Sequence, residues 1–528
     1  MMLKLLLLCL MICSTTFSFK ILVLFPTPSF SHQRPIMALT EKLVKSGHEV
    51  FVVSPNKVQK LEQHDNYTFI DGSFSYKVLA DELKNSVLSL KGEMSNYEML
   101  KIGWAAIAKA AESQFGSETF LRFERRVESE KIVFDVVIVE ALLIPHTCGM
   151  ARKLTGAVPI VSISSFPVDV LAERSLGNMV HTSFAPSLLS DYTNKMSFWQ
   201  KLTNWSRDMW MIYHKYHIMN GAAKQHFKRM YGFGKESLVD GCYENISLAL
   251  VTSNSLNFYP RSLSPNIIET GPLHLKTAQP LPQTLQSWLD GAEEGVIYFS
   301  FGSNIRVESM PAEVLSNFLK VFRELSPRYR VVWKAKFETA APDTPQNILM
   351  ESWLPQQSIL AHPKIKLFIT HGGFQSLQEA MHYGVPTVGI PRYGDQHCLV
   401  SKMVDAGIGV RLQLNDLYSS EKIKEAIEEV LHGARYSENA KKLSAISHHF
   451  SSVALDKATF WIEHVARHGG AAHLRPVTAD TTVFEFLCLD IITLLLVFSS
   501  CLMMFLYLFF KFLLRVFFRY LNNKVKKA

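Results

Sequence analysis

Between Lys366 and Pro391 the chain alternates apolar runs with a glycine turn and a helical stretch, and this restricts its possible folds more than any other segment. Lys366 to Thr370 reads as a short buried strand that ends in His371-Gly372-Gly373. A helix is expected over Gln375 to Tyr383, and Val385 to Pro391 reads as the next buried strand. Strand, tight turn, helix and second buried strand make a parallel-sheet unit with a covering helix. Glycines allow backbone N–H groups to approach an anion, the helix start carries partial positive charge, and a histidine adds a donor. The turn is therefore an anion site suited to a diphosphate.

The flanking residues supply what a nucleotide diphosphate needs. Ser376 and Glu379 lie three apart on one helix face, where Glu379 suits a ribose diol. Upstream, Trp353-Leu354-Pro355-Gln356 offers an aromatic plane and an amide, in a loop stiffened by proline, to hold a base. Asp395 and Gln396 follow the second strand at its C-terminal end, the edge where open α/β sheets bind ligands.

This pattern, from Trp353 and Gln356 through Leu360, His362, Phe368, Thr370, His371-Gly372-Gly373, Ser376, Glu379, Gly384-Val385-Pro386 and Pro391 to Asp395-Gln396, resembles the signature of UDP-glycosyltransferases. The similarity is to the membrane-bound animal branch and extends over nearly the whole chain. It implies an α/β chain of the GT-B architecture: two Rossmann-like parallel-sheet domains facing a cleft, plus a single C-terminal transmembrane helix. It also implies donor contacts from Gly302, Ser303, Lys334, Trp353, Gln356, His371, Gly373, Ser376, Glu379, Asp395 and Gln396. The UDP-sugar is then a co-substrate, with no cofactor and no divalent metal, and the chain has no paired-carboxylate DxD motif.

In the N-terminal half, Lys20 to Phe25 is a continuous apolar strand. A loop is expected from Thr27 to Gln33, a helix from Pro35 to Ser46 and a second strand over Val50 to Val53. No GxGxxG follows the first strand, so dinucleotide binding is not indicated. Ser31-His32-Gln33-Arg34-Pro35 matches the family's catalytic-histidine loop, which implies that His32 is the base taking the acceptor's proton. A carboxylate that holds the ring strengthens such a base. Glu140, at the end of the strand Phe134 to Glu140, stands where many relatives carry aspartate. One extra methylene changes its reach; Asp135 and His146 are the alternatives. Between Ser162 and about Tyr259 the sequence is rich in aromatics with helical stretches, for example Phe198 to Met219; most of these aromatics read as helix core, and an apolar acceptor pocket is the alternative.

The two ends account for a hydrophobic content of 48%. Residues 1–18 read as a secretory signal peptide, with an apolar core too short to span a membrane. Ile491 to Phe510 carries no charge and is long enough to cross a bilayer, and the tail 511–528 holds six of the eight net positive charges. The positive-inside rule puts that tail in the cytosol and the body in the lumen, and Lys524-Val525-Lys526-Lys527-Ala528 resembles a dilysine retrieval signal of the endoplasmic reticulum. Asn66, Asn204 and Asn245 have the form of glycosylation acceptors. The three body cysteines, Cys148, Cys242 and Cys398, are too few for a disulfide framework and lack metal-ligand spacing.

The expected organisation is an acceptor-binding domain over 19–275, a linker over 276–285, a UDP-sugar-binding domain over 286–450, a return segment over 451–480, the span at 491–510 and the tail. The expected function is inverting transfer of a hexose, glucose favoured and glucuronic acid the other donor, to hydroxyl groups of small lipophilic acceptors. The competing readings are an impaired lipophilic-ligand binder and a glycolipid-forming transferase. A membrane is an expected partner and nucleic acid is not; homo-oligomerisation stays open.

Overall fold

The structure is a computed structural model that describes residues 18–83, 95–178, 181–303, 310–335 and 344–526. The signal peptide expected over 1–18 lies outside the described residues but for Ser18, as do Lys527 and Ala528 of the tail. Residues to Arg475 form one compact unit, and Pro476–Ala528 another.

The first sheet has seven strands, β1 (Lys20–Leu24), β2 (Glu49–Ser54), β3 (Tyr67–Asp71), β4 (Val136–Glu140), β5 (Ile160–Ser164), β6 (Ile246–Val251) and β7 (Ile267–Glu269), in the order β3-β2-β1-β4-β5-β6-β7. All pairings are parallel, with Leu22 beside Phe51 on one side and Val137 on the other. Helices cover both faces, so the central strands read as unbroken apolar runs: Ile21 through Leu24 and Val136 through Val139 are wholly buried.

Helix α1 (Phe30–Lys45) follows β1 and contains Pro35. The helix was expected to begin at that proline; it begins five residues earlier. Proline lacks an N–H and leaves the carbonyl four residues back without its intrahelical donor, here that of Ser31, which instead accepts a hydrogen bond from the Gln375 side chain. Helix α2 (Asn96–Phe115) opens with a capping box between Ser95 and Glu98. Short α3 (Val170–Ser175) is capped by Asp169. Long α4 (Phe198–Tyr231) runs well past the expected end at Met219, because its buried positions Met219, Ala223 and Phe227 keep helical spacing.

The second domain begins with α5 (Gln283–Asp290), whose Leu285 is buried. The linker therefore ends before Gln283 rather than reaching Leu285. Six parallel strands follow, β8 (Gly295–Ser300), β9 (Tyr329–Lys334), β10 (Ile348–Glu351), β11 (Ile365–Thr370), β12 (Thr387–Gly389) and β13 (Gly409–Arg411), in the order β10-β9-β8-β11-β12-β13. Helices α6 (Gln356–Leu360), α7 (Phe374–Tyr383) and α8 (Gln396–Asp405) lie around β11 and β12.

Helix α9 (Ala454–His468) then joins the core of the first domain. Its Ala454, Ala458, Ile462 and Val465 pack with Ile21, Ile36 and Leu43. At its rim, Glu463 meets His48 at 3.0 Å and Asp456 meets Lys42 at 2.7 Å. In the second unit, α10 (Leu489–Val525) is 37 residues long and apolar enough to cross a membrane. It extends beyond the expected span through most of the basic tail. At 1.5 Å per residue it is about 55 Å long, more than a hydrocarbon core of about 30 Å requires.

Candidate active site

In each sheet, the order in which successive strands are laid down reverses between two adjacent parallel strands, β1 and β4 in the first and β8 and β11 in the second. Beyond the C-terminal ends of such strands the loops part and leave a crevice. The expected catalytic and diphosphate residues stand at these points. His32 follows β1 and Glu140 ends β4; Gly302 and Ser303 follow β8 and His371 follows β11. Loops from both domains line one cavity of about 850 Å³.

His32 lies in the first turn of α1, not in a loop. Its Nδ1 is 3.2 Å from Oε1 of Glu140, whose Oε2 accepts the Thr27 backbone N–H at 3.1 Å. Glu140 is 1% exposed, so the longer side chain does reach the ring and is fixed there. Opposite a carboxylate the Nδ1 carries the proton, leaving the Nε2 lone pair for the cleft. Phe166 packs edge-on against the ring at 5.1 Å. Asp135 lies just before β4 and accepts the Lys20 N–H, while His146 sits by Glu112; neither meets His32.

On the other side, His371 is clamped between glycines. A Cβ on Gly302 would lie 2.8 Å from its Cε1, and one on Gly373 would lie 2.5 Å from its Nε2. Gly302 also has φ +73°, a backbone form that favours glycine. Burial, then the nearby Lys334 cation, pushes the His371 pKa down to about 4, so the ring is uncharged near neutrality. Gly373 caps α7 and, having no side chain, offers the helix's first N–H groups no cap acceptor, the arrangement of an anion site. Lys334 donates to the Gly302 carbonyl at 2.8 Å and lies 4.3 Å over the Trp353 ring, tying the glycine loop to the aromatic platform. Phe30 meets the same indole edge-on.

Glu379 is fully buried rather than open to the cavity, and it accepts from Gln356 at 2.6 Å and Gln357 at 3.1 Å. Arg34 of the first domain pairs with it at 2.7 Å, and His274 lies 3.3 Å away. Burial alone would raise its pKa; the Arg34 guanidinium, His274 and the Gln356 amide together more than reverse this and hold it well below the usual carboxylate range. The Gln356 amide, expected at the base edge, is committed to Glu379, Tyr298 and Ser376. Burial and then Arg34 push the His274 pKa down to about 4. Arg34, His274 and Gln375 are site residues that sequence reasoning missed. Arg34 had a signal, lying two residues after His32; the other two had none, because their partners are distant in sequence.

Asp395 lines the cavity just before α8, and burial pushes its pKa up to about 6. The Gln396 amide oxygen accepts from the backbone N–H groups of Arg392 and Tyr393 and so holds its own loop, leaving only its amide N–H groups for a ligand. One sequence expectation is corrected. Asn204 is wholly buried, with its side chain bonded to Ser187, Thr182 and Ala185, so it is not an accessible glycosylation acceptor, whereas Asn245 is exposed. Cys148 and Cys242 form a disulfide across a separation of 94 residues, leaving Cys398 as the buried free thiol.

The family described as "UDP-glucoronosyl and UDP-glucosyl transferase" matches residues 20–528. A UDP-glucosyltransferase 2 of Dactylopius coccus is 32% identical over 92% of this chain and 91% of its own. UDP-glucuronosyltransferase 2C1 of Oryctolagus cuniculus is 30% identical over 88% of this chain and 93% of its own. Among solved structures, the glycotransferase of kitacinnamycin superposes with a TM-score of 0.56 at 17% identity, covering 85% of this chain and 98% of that one. A UDP-glucosyltransferase from Polygonum tinctorium gives 0.54 at 14%, covering 85% and 100%. These structures share the GT-B fold. The chain belongs to the UDP-glucuronosyl and UDP-glucosyl transferase family and is a UDP-glycosyltransferase.

Proposed function

We propose that this UDP-glycosyltransferase moves glucose from UDP-glucose, with inversion, to hydroxyl groups of small lipophilic acceptors, using His32 as base and no metal. The observation that carries this reading is the His32–Glu140 pair at one sheet's crossover point and the glycine-clamped His371 at the other, lining one cavity. The acceptor O–H gives its proton to Nε2 of His32 as the oxygen bonds to the anomeric carbon. The bond from that carbon to the diphosphate oxygen breaks, and its electron pair leaves with UDP. Glu140 offsets the imidazolium charge. The start of α7, His371 and the Ser303 loop take up the charge developing on the diphosphate. Trp353 and the Gln356 loop receive the base.

Glucose is favoured over glucuronic acid because Asp395, ionised near neutrality with a pKa of about 6, accepts from sugar hydroxyls and repels a hexuronate. The name of the Dactylopius relative agrees with this and that of the rabbit relative names the alternative. The Cys148–Cys242 disulfide suits an oxidising lumen and α10 a membrane anchor, so the body is assigned to the endoplasmic reticulum lumen and the basic tail to the cytosol. The test is mass spectrometry of products from membranes expressing the protein, given phenols and steroid alcohols with UDP-glucose or UDP-glucuronic acid. A glucoside that disappears with His32→Ala supports the reading; a glucuronide, or a product that survives the substitution, overturns the donor or the base respectively.

A further inference from the structure

Where α2, α4 and the segment before α3 line the cavity with largely apolar side chains, the described residues include an ion pair. Lys215 Nζ lies 2.6 Å from Oδ2 of Asp169, and both side chains are 7% exposed and line the cavity. Lys215 shares a face of α4 with Met211 and Ile212, which also line it. Asp169 is held from two sides: its Oδ1 accepts from the Ala172 N–H at 3.2 Å, and its own N–H donates to Glu173. Two apolar residues of the same size commonly make such a wall at least as stable as a buried pair does. An apolar acceptor alone therefore gives no reason for the pair. An ammonium has three N–H donors, of which Asp169 takes one.

Building on the transferase reading above, we infer that Lys215, positioned by Asp169, anchors a polar group of the acceptor other than the reacting hydroxyl, and that the acceptors are lipophilic alcohols or phenols bearing a second, neutral oxygen such as a ketone. The charge count selects a neutral oxygen. Asp169 already balances Lys215, so a ligand carboxylate would add an uncompensated negative charge next to Asp169, whereas a carbonyl adds only an acceptor.

The test is equilibrium binding to the full-length protein in detergent, by calorimetry. The probes are hydroxyphenyl alkanones of increasing chain length, their isosteric methylidene analogues and a carboxylate-ended series. The native protein is expected to bind the ketone of best-fitting length about 10- to 100-fold more tightly than its methylidene partner, as suits a hydrogen bond from a charged donor. Lys215→Met leaves Asp169 buried and unpaired, which threatens folding. The decisive variant is therefore D169N/K215M, in which an asparagine still caps α3. There the ketone preference is expected to fall to about one while UDP affinity stays within about twofold; Lys215→Arg is expected to keep the preference. A ratio near one in the native protein at every length, a ratio unchanged in the double variant, or tighter binding of the carboxylate series each overturns the inference. Because the readout is binding, a ketone preference without any glycoside product would count against the transferase reading and leave the anchor standing.

Discussion

At His32 the chemistry depends on which ring nitrogen faces Glu140. An amide in place of the carboxylate can offer N–H to Nδ1 and favour the wrong tautomer. Glu140→Gln should lower kcat by about 10²- to 10⁴-fold with little change in the UDP-sugar KM, as initial-rate kinetics would show. Asp395 behaves differently. It loses its charge as pH falls through about 6, so the UDP-glucose KM should rise below that pH and stay flat in Asp395→Asn. Glu379 has the opposite shift. Its carboxyl is held below the unfolded-state value of 4.5, so its stabilising effect is fully present above that pH and fades as pH falls further. Glu379→Gln should therefore cost about 3 kcal/mol at neutral pH and less in acid, measured by thermal unfolding across pH. That His32, Glu140, His371 and Asp395 lie near the C-terminal ends of strands was legible in the apolar runs before them, while the roles expected of His32 and Glu140 came from the family resemblance. The pairing of Arg34 with Glu379 was not legible, because the partners are brought together by the approach of two domains and not by spacing along the chain.

Among the elements, the glycines about His371 carry the sharpest expectation. Gly373→Ala would drive a methyl into the imidazole, so UDP affinity should fall at least about tenfold while the fold persists, which ligand titration would read directly. Gly372 has φ +80°, and a Cβ there would lie 2.3 Å from Val400, so alanine at that position disturbs the turn itself. The strands were legible because burial on both faces writes itself as apolar runs. Helix boundaries were less so. Pro35 looked like a start, yet Gln375 satisfies the Ser31 carbonyl it frees, and that donor comes from the other domain. The far end of α4 was hidden for a different reason: Phe227 is wholly buried in the first-domain core against Gly149, a partner 78 residues earlier in the chain.

For the whole molecule, the Cys148–Cys242 link joins the segment after β4 to the loop before β6. A C148S/C242S variant should lose about 2–4 kcal/mol of stability, seen as a lower Tm, with donor binding retained when cold. Two parallel sheets could be inferred from the sequence, but their strand order could not, since nothing local says that β4 lies beside β1. The return of α9 to the first domain has a mechanical consequence. The chain passes between domains at the segment before Gln283 and again ahead of Ala454, so two strands of chain hold the halves together and the apolar face of α9 is lodged in the partner's core. A protease that cuts the first strand makes two fragments, but it does not release either one; they should elute together from a sizing column and come apart only when α9 is unseated.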